Sequence, residues 1–153
     1  MSRHLQRHHR ITVDLPVDRA FMLFTPAGEE LWVEGWAPRY LHPAGGRTEA
    51  GMVFSTGAGD ETTHWLLADF DRAARRSRYV RCTPASRMTV VEVQCRAIDG
   101  ARTEVDVGYT LTALNDAGLT TIDSFERGFV AMIDGWAAAI AAQREALLAA
   151  EIR

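Results

Sequence analysis

The hydrophobic pattern in the last third of the chain predicts one long amphipathic helix, spanning residues 119 to about 150. At roughly 100° per residue, the large apolar side chains fall on one narrow face of this helix. They are Ile122, Phe125, Phe129, Met132, Ile133, Trp136, Ile140 and Leu147. So apolar a face has to be covered by a sheet or by another helix. The upstream chain is expected to provide that surface.

Upstream, an alternation of apolar and polar positions predicts strands. The first strand covers residues 10–15. Residues 35–51 are rich in Gly and Pro and are predicted to be mainly loop, with residues 39–42 as a candidate for a short edge strand. Further strands are predicted at residues 52–56, 62–70, 75–82, 88–98 and 103–114. The joints between these later strands are short and rich in turn-forming residues, which is typical of an antiparallel meander. Trp65 is expected on the inner face of the middle strand.

Two short helices are predicted between the first strand and the meander. Asp18 stands where the first turn of a helix favours a carboxylate. Thr25 and Pro26 suit the N-cap and the first position of a second helix, with Glu29 and Glu30 in its first turn. The chain is therefore expected to run from a strand through two short helices and a meander to the long helix.

Composition limits the classes of function. The content of 47% hydrophobic and 24% charged residues is typical of a globular protein, and 153 residues suit a single domain, 1–153. A net charge of −3 gives no attraction to nucleic acid or to anionic membranes, so neither partner is expected. Residues 1–9 are polar, predict a disordered end and lack the apolar run of a signal peptide. A cytoplasmic protein is predicted.

Several chemistries lack the residues that they need. All seventeen basic residues are Arg, so no lysine amine is present to form a Schiff base. Cys82 and Cys95 are far apart in sequence and are predicted to be free thiols. No His or Cys stands at the spacing of metal ligands, so neither a metal nor a cofactor is expected.

The order of elements resembles the helix-grip fold of the START-related, birch-pollen-allergen-like superfamily, whose bacterial members are called SRPBCC or polyketide-cyclase-like proteins. Residues 23–36 look like the helix pair of uncharacterised bacterial members, and residues 107–114 look like their last strand. Trp65 followed by a turn at residues 69–71 adds to the resemblance. It implies an α+β fold, with a curved antiparallel sheet of six to seven strands wrapped around the long C-terminal helix.

The resemblance also implies an elongated, largely apolar cavity between sheet and helix. Its walls are predicted to be Phe125, Phe129, Met132 and Trp136 from the helix, with Trp32, Trp36 and Trp65 opposite. The alternative is that these side chains close up as solid core. Polar groups that would orient a ligand there are Glu126, His64, Tyr40 and Tyr109. Glu126 and His64 would form an acid and base pair if both pointed inward, whereas outside the cavity they would be solvated.

Two further features leave alternatives open. Six Arg lie between residues 72 and 87, either as a site for an anionic headgroup or as a solvated hairpin and sheet edge. Gly128 and Gly135, together with several Ala residues, form one face of the predicted helix that carries only small side chains. That side would let another backbone approach closely, either the N-terminal helix pair or a second subunit in a homodimer.

Three functions are consistent with these observations. The first is binding of a small apolar or amphipathic molecule in the cavity. The second is a polyketide cyclase or dehydratase-like enzyme, which requires an ionisable pair inside the cavity. The third is an interaction module similar to the activators of heat-shock-chaperone ATPases, which requires an exposed apolar or charged surface.

Overall fold

The computed structural model describes residues 3–153, so Met1 and Ser2 lie outside the described part of the chain. In this range a strand is followed by two short helices, six further strands and two C-terminal helices. The strands are β1 (His4–Val13), β2 (Arg39–His42), β3 (Val53–Thr56), β4 (Thr63–Asp71), β5 (Arg76–Thr83), β6 (Arg87–Ala97) and β7 (Thr103–Ala113). The helices are α1 (Val17–Met22), α2 (Pro26–Glu29), α3 (Asp116–Ala142) and α4 (Arg144–Ala149).

The seven strands form one antiparallel sheet in the order β1-β7-β6-β5-β4-β3-β2. Consecutive strands from β2 to β7 are neighbours, because short turns join them into a meander. Strand β1 pairs with β7 and forms one edge, while β2 forms the other. This arrangement, with two short helices after β1 and a long C-terminal helix, confirms the predicted α+β helix-grip fold.

The N-terminal segment differs from its prediction. Residues 4–9 belong to β1, which pairs without a break from His4 opposite Thr112 to Val13 opposite Thr103. The expected disorder is therefore wrong for residues 4–9. Only Leu5 is buried in this segment, so its mostly polar side chains give no apolar pattern that would predict a strand. Backbone hydrogen bonds to β7 hold the segment in place instead.

The C-terminal helix is interrupted near its end. Gln143, with φ −121° and ψ 18°, separates α3 from α4, where the hydrophobic period predicted one continuous helix. Asn115 is the N-cap of α3, and its side chain accepts a 3.0 Å hydrogen bond from the backbone N–H of Gly118. Side chains on one face of α3 are buried against β1 and β7; they are Ile122, Phe129, Ile133 and Ile140.

The face of α3 that carries the small residues Gly128 and Gly135 is exposed. A Cβ atom added at Gly128 or Gly135 would meet nothing within 4 Å, so the N-terminal helix pair does not cover this side. Of the two predicted occupants, only a second subunit remains as a proposal. The described residues contain no helix that is long and apolar enough to cross a membrane.

Helices α1 and α2 pack closely against one another and against the sheet. Thr25 caps α2 as predicted, because its hydroxyl accepts a 3.1 Å hydrogen bond from Gly28 N–H and donates one of 2.6 Å to the Met22 carbonyl. A Cβ at Gly28 would lie 2.0 Å from the Met22 carbonyl oxygen, so only glycine permits this approach. The Trp32 indole N–H donates a 2.8 Å hydrogen bond to the Leu23 carbonyl. These contacts fix the direction in which α2 leaves α1.

Candidate functional site

A small enclosed cavity lies between the sheet, the α1–α2 pair and α3. Its volume is about 30 Å³, which is room for roughly one water molecule. It is lined by Phe24, Pro26, Glu29, Phe54, Trp65, Tyr79, Val91, Val93, Tyr109 and Trp136. Except for Glu29, every lining residue presents an apolar or aromatic surface. The site is therefore a nearly closed aromatic pocket with one carboxyl group.

Stacked and edge-to-face aromatic pairs build two walls of this cavity. On the sheet side, the Trp65 ring stacks on Phe54 with 5.1 Å between the ring centres and meets Tyr79 edge-on at 6.1 Å. Where the sheet faces α3, the ring of Tyr109 on β7 contacts two rings of the helix. The distances between ring centres are 5.0 Å to Phe125 and 6.5 Å to Trp136. Because strand side chains alternate between faces, the inner positions of β3, β4, β5 and β7 bring these rings together.

Arg81 extends from the inner face of β5 onto two of the lining aromatic rings. Its guanidinium carbon lies 4.7 Å from the centre of the Trp65 ring and 5.5 Å from that of Tyr109. Its Nε atom is buried and has no hydrogen-bond partner among residues 3–153. Burial lowers the pKa of Arg81 from its ordinary value. Aromatic faces thus hold a guanidinium whose buried N–H group is unsatisfied.

A second unsatisfied polar atom lies beside Arg81. Thr89 is directly opposite Arg81 in the pairing of β5 with β6, and its buried hydroxyl has no partner within the described chain. Side chains paired in this way have Cβ atoms about 5 Å apart. Ser77, on the same face of β5, carries a third buried hydroxyl without a partner within the described chain. Because buried polar groups are nearly always hydrogen-bonded, these three groups are candidates to bind a ligand or ordered water.

Glu29 is the carboxyl group of the cavity. It is the last residue of α2, and it is positioned by the Thr25 cap at the other end of this short helix. Burial raises the pKa of Glu29 to about 8, and the positive charge of Arg81 acts against that rise. The two side chains do not form an ion pair. At neutral pH, Glu29 is therefore a neutral carboxylic acid, able to donate a proton or a hydrogen bond.

The tyrosines of the cavity remain protonated. Burial raises the pKa of Tyr79 and of Tyr109 above the ordinary value. The Tyr79 hydroxyl donates a 3.1 Å hydrogen bond to the Phe24 carbonyl, so its polar group already has a structural partner. The polar group of Trp65 also has a partner within the protein, because its indole N–H donates a 3.0 Å hydrogen bond to the Thr56 hydroxyl. The polar groups available to a ligand include Glu29 in the cavity lining, and Arg81, Thr89 and Ser77 beside it.

The structure places most of the predicted site residues on or around this cavity. Trp65, Tyr109 and Trp136 line it, and Trp65 faces inward as expected. Others pack behind the lining or beside it in the core: Trp32, Trp36, Tyr40, Phe125, Phe129 and Met132. Trp36, Phe125, Met132 and Trp136 are partly exposed, so the aromatic region reaches the surface. The predicted site therefore combines cavity wall with solid core.

Of the two alternatives for His64 and Glu126, the structure shows the solvated one. His64 is exposed on the outer face of β4, because it directly precedes the inward-facing Trp65. Glu126 lies at the side of α3 and forms ion pairs with Arg3, at 2.8 Å, and with Arg7. The two residues thus lie outside the cavity on different surfaces. An acid and base pair made from them is excluded.

The Arg-rich segment also divides between the two faces of the sheet. Arg75 forms a 2.7 Å ion pair with Asp18, and Arg87 one of 3.2 Å with Glu61, as expected for a solvated surface. Arg81 differs, because it lies on the inner face of β5, although its sequence neighbourhood is the same as that of the other five Arg. The available signal was its spacing from Tyr79, because residues two apart in a strand share a face.

Sequence reasoning also missed Glu29, Phe54, Tyr79 and Thr89. Glu29 was assigned to the first turn of α2 together with Glu30, and the helix pattern does not distinguish their surroundings. Glu30 is exposed and accepts a 2.8 Å hydrogen bond from the Tyr40 hydroxyl. For Glu29, the neighbouring elements alone create the buried environment. The described residues contain no cluster of three His, Cys, Asp or Glu able to hold a metal ion.

Comparison with known proteins identifies the fold. The structure matches the Zhui aromatase/cyclase of Streptomyces sp. R1128 with a TM-score of 0.63 and 17% identity, over 94% of this chain and 96% of that one. Norcoclaurine synthase from Thalictrum flavum, in complex with dopamine and hydroxybenzaldehyde, matches with a TM-score of 0.63 and 9% identity over 91% and 87%. Ara h 8.0201 matches with a TM-score of 0.61 and 15% identity over 89% and 99%.

The sequence comparisons are negative. No family model matches the chain, and no curated protein matches it. Identities of 9–17% to the three solved structures establish a shared architecture without a shared activity. The chain has the helix-grip fold of the START-related, birch-pollen-allergen-like superfamily.

Proposed function

We propose that the protein binds a small hydrophobic or amphipathic molecule between its sheet and α3. The observation that carries this proposal is the pairing of an aromatic cavity with polar groups that the chain leaves unsatisfied, Arg81 and Thr89. A core that served stability alone would gain from apolar residues at these positions, since buried unpaired polar groups are costly. Ligand binding gives these groups a partner.

Ligand entry requires the cavity to widen. A volume of about 30 Å³ holds no organic ligand without movement of side chains. Trp36, Phe125 and Met132 are partly exposed and pack against the core from its margin. Rotation of such side chains opens space at a small cost in packing, because they already contact water on one side.

Mass spectrometry and dye binding test this proposal. Native mass spectrometry of the purified protein should show a small molecule retained at about one per chain, and Nile red should bind with a saturable rise in fluorescence. Val91→Leu adds a methylene group to the cavity wall and should weaken dye binding. Val90→Leu lies next to it on the outer face and is the matched control. Absence of both a retained molecule and saturable dye binding would refute the proposal.

A second candidate is a dehydratase- or cyclase-like enzyme. The observation in its favour is a carboxylic acid with a pKa of about 8 in the same site as a guanidinium. The names of two structural neighbours, an aromatase/cyclase and norcoclaurine synthase, are consistent with catalysis on this fold. In the dehydration of a β-hydroxy ketone, the ionised fraction of Glu29, which grows as pH approaches its pKa of about 8, would take the α-proton while Arg81 stabilises the enolate oxygen. The resulting carboxylic acid would protonate the departing hydroxyl, so that water leaves and a C=C bond forms.

The enzymatic candidate is tested with a β-hydroxy aryl ketone, whose enone product absorbs in the near ultraviolet. Glu29→Gln should abolish turnover and leave ligand binding intact. Glu126→Gln and His64→Ala should leave turnover unchanged, because both residues lie outside the cavity. Equal turnover by wild type and Glu29→Gln would exclude Glu29 as the acid.

A further inference from the structure

The inner face of β5 and β6 carries three buried polar groups without partners in the described chain. Two of them are directly opposite one another, the Arg81 Nε–H and the Thr89 hydroxyl, and the third, the Ser77 hydroxyl, lies further along β5 opposite Val93. We propose that Arg81 and Thr89 receive the carboxylate of a small organic acid whose apolar body occupies the aromatic cavity. The inference rests on the proposed binding function and deepens it by naming the class of ligand. It assigns Arg81 and Thr89 as the residues that determine specificity for acids.

The geometry of Arg81 favours a planar oxyanion. The rings of Trp65 and Tyr109 lie 4.7 and 5.5 Å from the guanidinium carbon, and contacts of this kind orient the group without using its N–H donors. Those donors form a rigid fork that matches the two oxygens of a carboxylate. The Thr89 hydroxyl, directly across the strand pair, supplies one more donor to the same place.

The stability of the free protein provides an independent argument. Arg81 is half-buried, and its Nε–H is fully buried without a partner in the described chain. An unsatisfied group of this kind destabilises the folded state, and replacement of buried charges by apolar groups is often neutral or stabilising. Retention of Arg81 is therefore explained by a ligand rather than by folding. Such an exchange of stability for function is common at binding sites.

Glu29 completes the site as a neutral neighbour. Of the titratable groups around it, Arg81 and Tyr79 come from β5, Tyr109 from β7 and Tyr40 from β2. Since burial raises the pKa of Glu29 to about 8, its protonated form does not repel a carboxylate at neutral pH. Above pH 8 the two like charges repel each other. Affinity for an acid is therefore expected to fall there, and Glu29→Gln should remove that fall.

Calorimetric titration with matched acids and alcohols tests the inference. Cinnamate is compared with cinnamyl alcohol, and hexanoate with hexanol, at pH 7. At least one acid should bind roughly ten- to a hundredfold more tightly than its alcohol. Arg81→Met should remove that preference while leaving the affinity for the alcohol, and Thr89→Val should reduce it severalfold. Arg78→Met, three residues away and therefore on the outer face of β5, is the matched control and should behave as wild type.

The outcomes separate this inference from the proposed function. Equal affinity for acids and alcohols, unchanged by Arg81→Met, would overturn the carboxylate site while the cavity stays a binding site. Failure of every acid, every alcohol and Nile red to bind would overturn both. Thermal unfolding of Arg81→Met identifies a misfolded variant, because we expect its unfolding temperature to match or exceed that of wild type. A clear decrease would instead assign Arg81 a structural role and contradict the inference.

Discussion

The Tyr79 hydroxyl donates a 3.1 Å hydrogen bond to the Phe24 carbonyl and thereby joins the middle of the sheet to the junction between α1 and α2. Both residues also line the cavity. The same contact that anchors the helix pair therefore determines one dimension of the site. A buried hydrogen bond of this kind contributes to stability mainly because its loss leaves a carbonyl unsatisfied.

We expect Tyr79→Phe to lower the free energy of unfolding by about 1–2 kcal/mol, because the buried Phe24 carbonyl loses its donor. Urea denaturation at pH 7 measures this loss. Tyr40→Phe is the matched control, since the Tyr40 hydroxyl binds the exposed Glu30 and its removal should cost less than about 0.5 kcal/mol. Equal losses in the two variants would contradict this assignment.

We expect the buried carboxyl group of Glu29 to make the protein less stable at alkaline pH. Its pKa is about 8 in the folded protein and close to its ordinary value of 4.5 when unfolded. Between these values the folded state binds more protons, so the stabilisation is fully present below pH 4.5 and is lost as pH rises through 8. The full loss is on the order of 5 kcal/mol.

Urea denaturation at pH 5, 7 and 9 measures this pH dependence in wild type and in Glu29→Gln. The variant should show a flatter profile and should exceed wild type in stability at pH 9. Glu30→Gln changes the adjacent exposed carboxyl group and serves as the control. If wild type and Glu29→Gln lose stability in parallel, Glu29 is not the group responsible.

Substitution of Glu126 should affect stability slightly and the cavity not at all. Glu126→Gln weakens ion pairs with Arg3 and Arg7 at a partly exposed position, so the expected loss is below about 1 kcal/mol and decreases in high salt. Ligand or dye affinity should equal that of wild type. A large change in affinity would place Glu126 back in the site.

The glycines of α3 should respond to substitution in opposite directions. Gly128→Ala and Gly135→Ala should each raise the free energy of unfolding by about 0.5–1 kcal/mol, because the added Cβ meets nothing and alanine favours the helix. Gly118→Ala should destabilise the fold, since its Cβ would lie 2.1 Å from the Ser86 carbonyl oxygen. Chemical denaturation of the three variants measures both effects. Destabilisation by Gly128→Ala or Gly135→Ala would indicate that a second subunit covers this face.

Much of the architecture follows from local patterns. The alternation of apolar and polar residues located six strands, and the pairing of Thr25 with Pro26 correctly located the start of α2. The first strand was the weakest prediction, because His8 and His9 carry no apolar signal and are held by the ladder with β7. The interruption of the long helix at Gln143 also lacks a clear local signal, since Ala and Gln favour helix there.

The amino-acid sequence by itself determined the class of fold, the aromatic character of the interior and the absence of lysine chemistry, because periodicity and composition are local properties of the chain. Only the tertiary structure decided which charged groups enter the interior. Glu29 and Glu126 are chemically alike, as are Arg81 and Arg78, yet one member of each pair lies by the cavity and the other on the surface. Burial, register and the neighbours supplied by distant segments make that distinction, and these are properties of the folded chain as a whole.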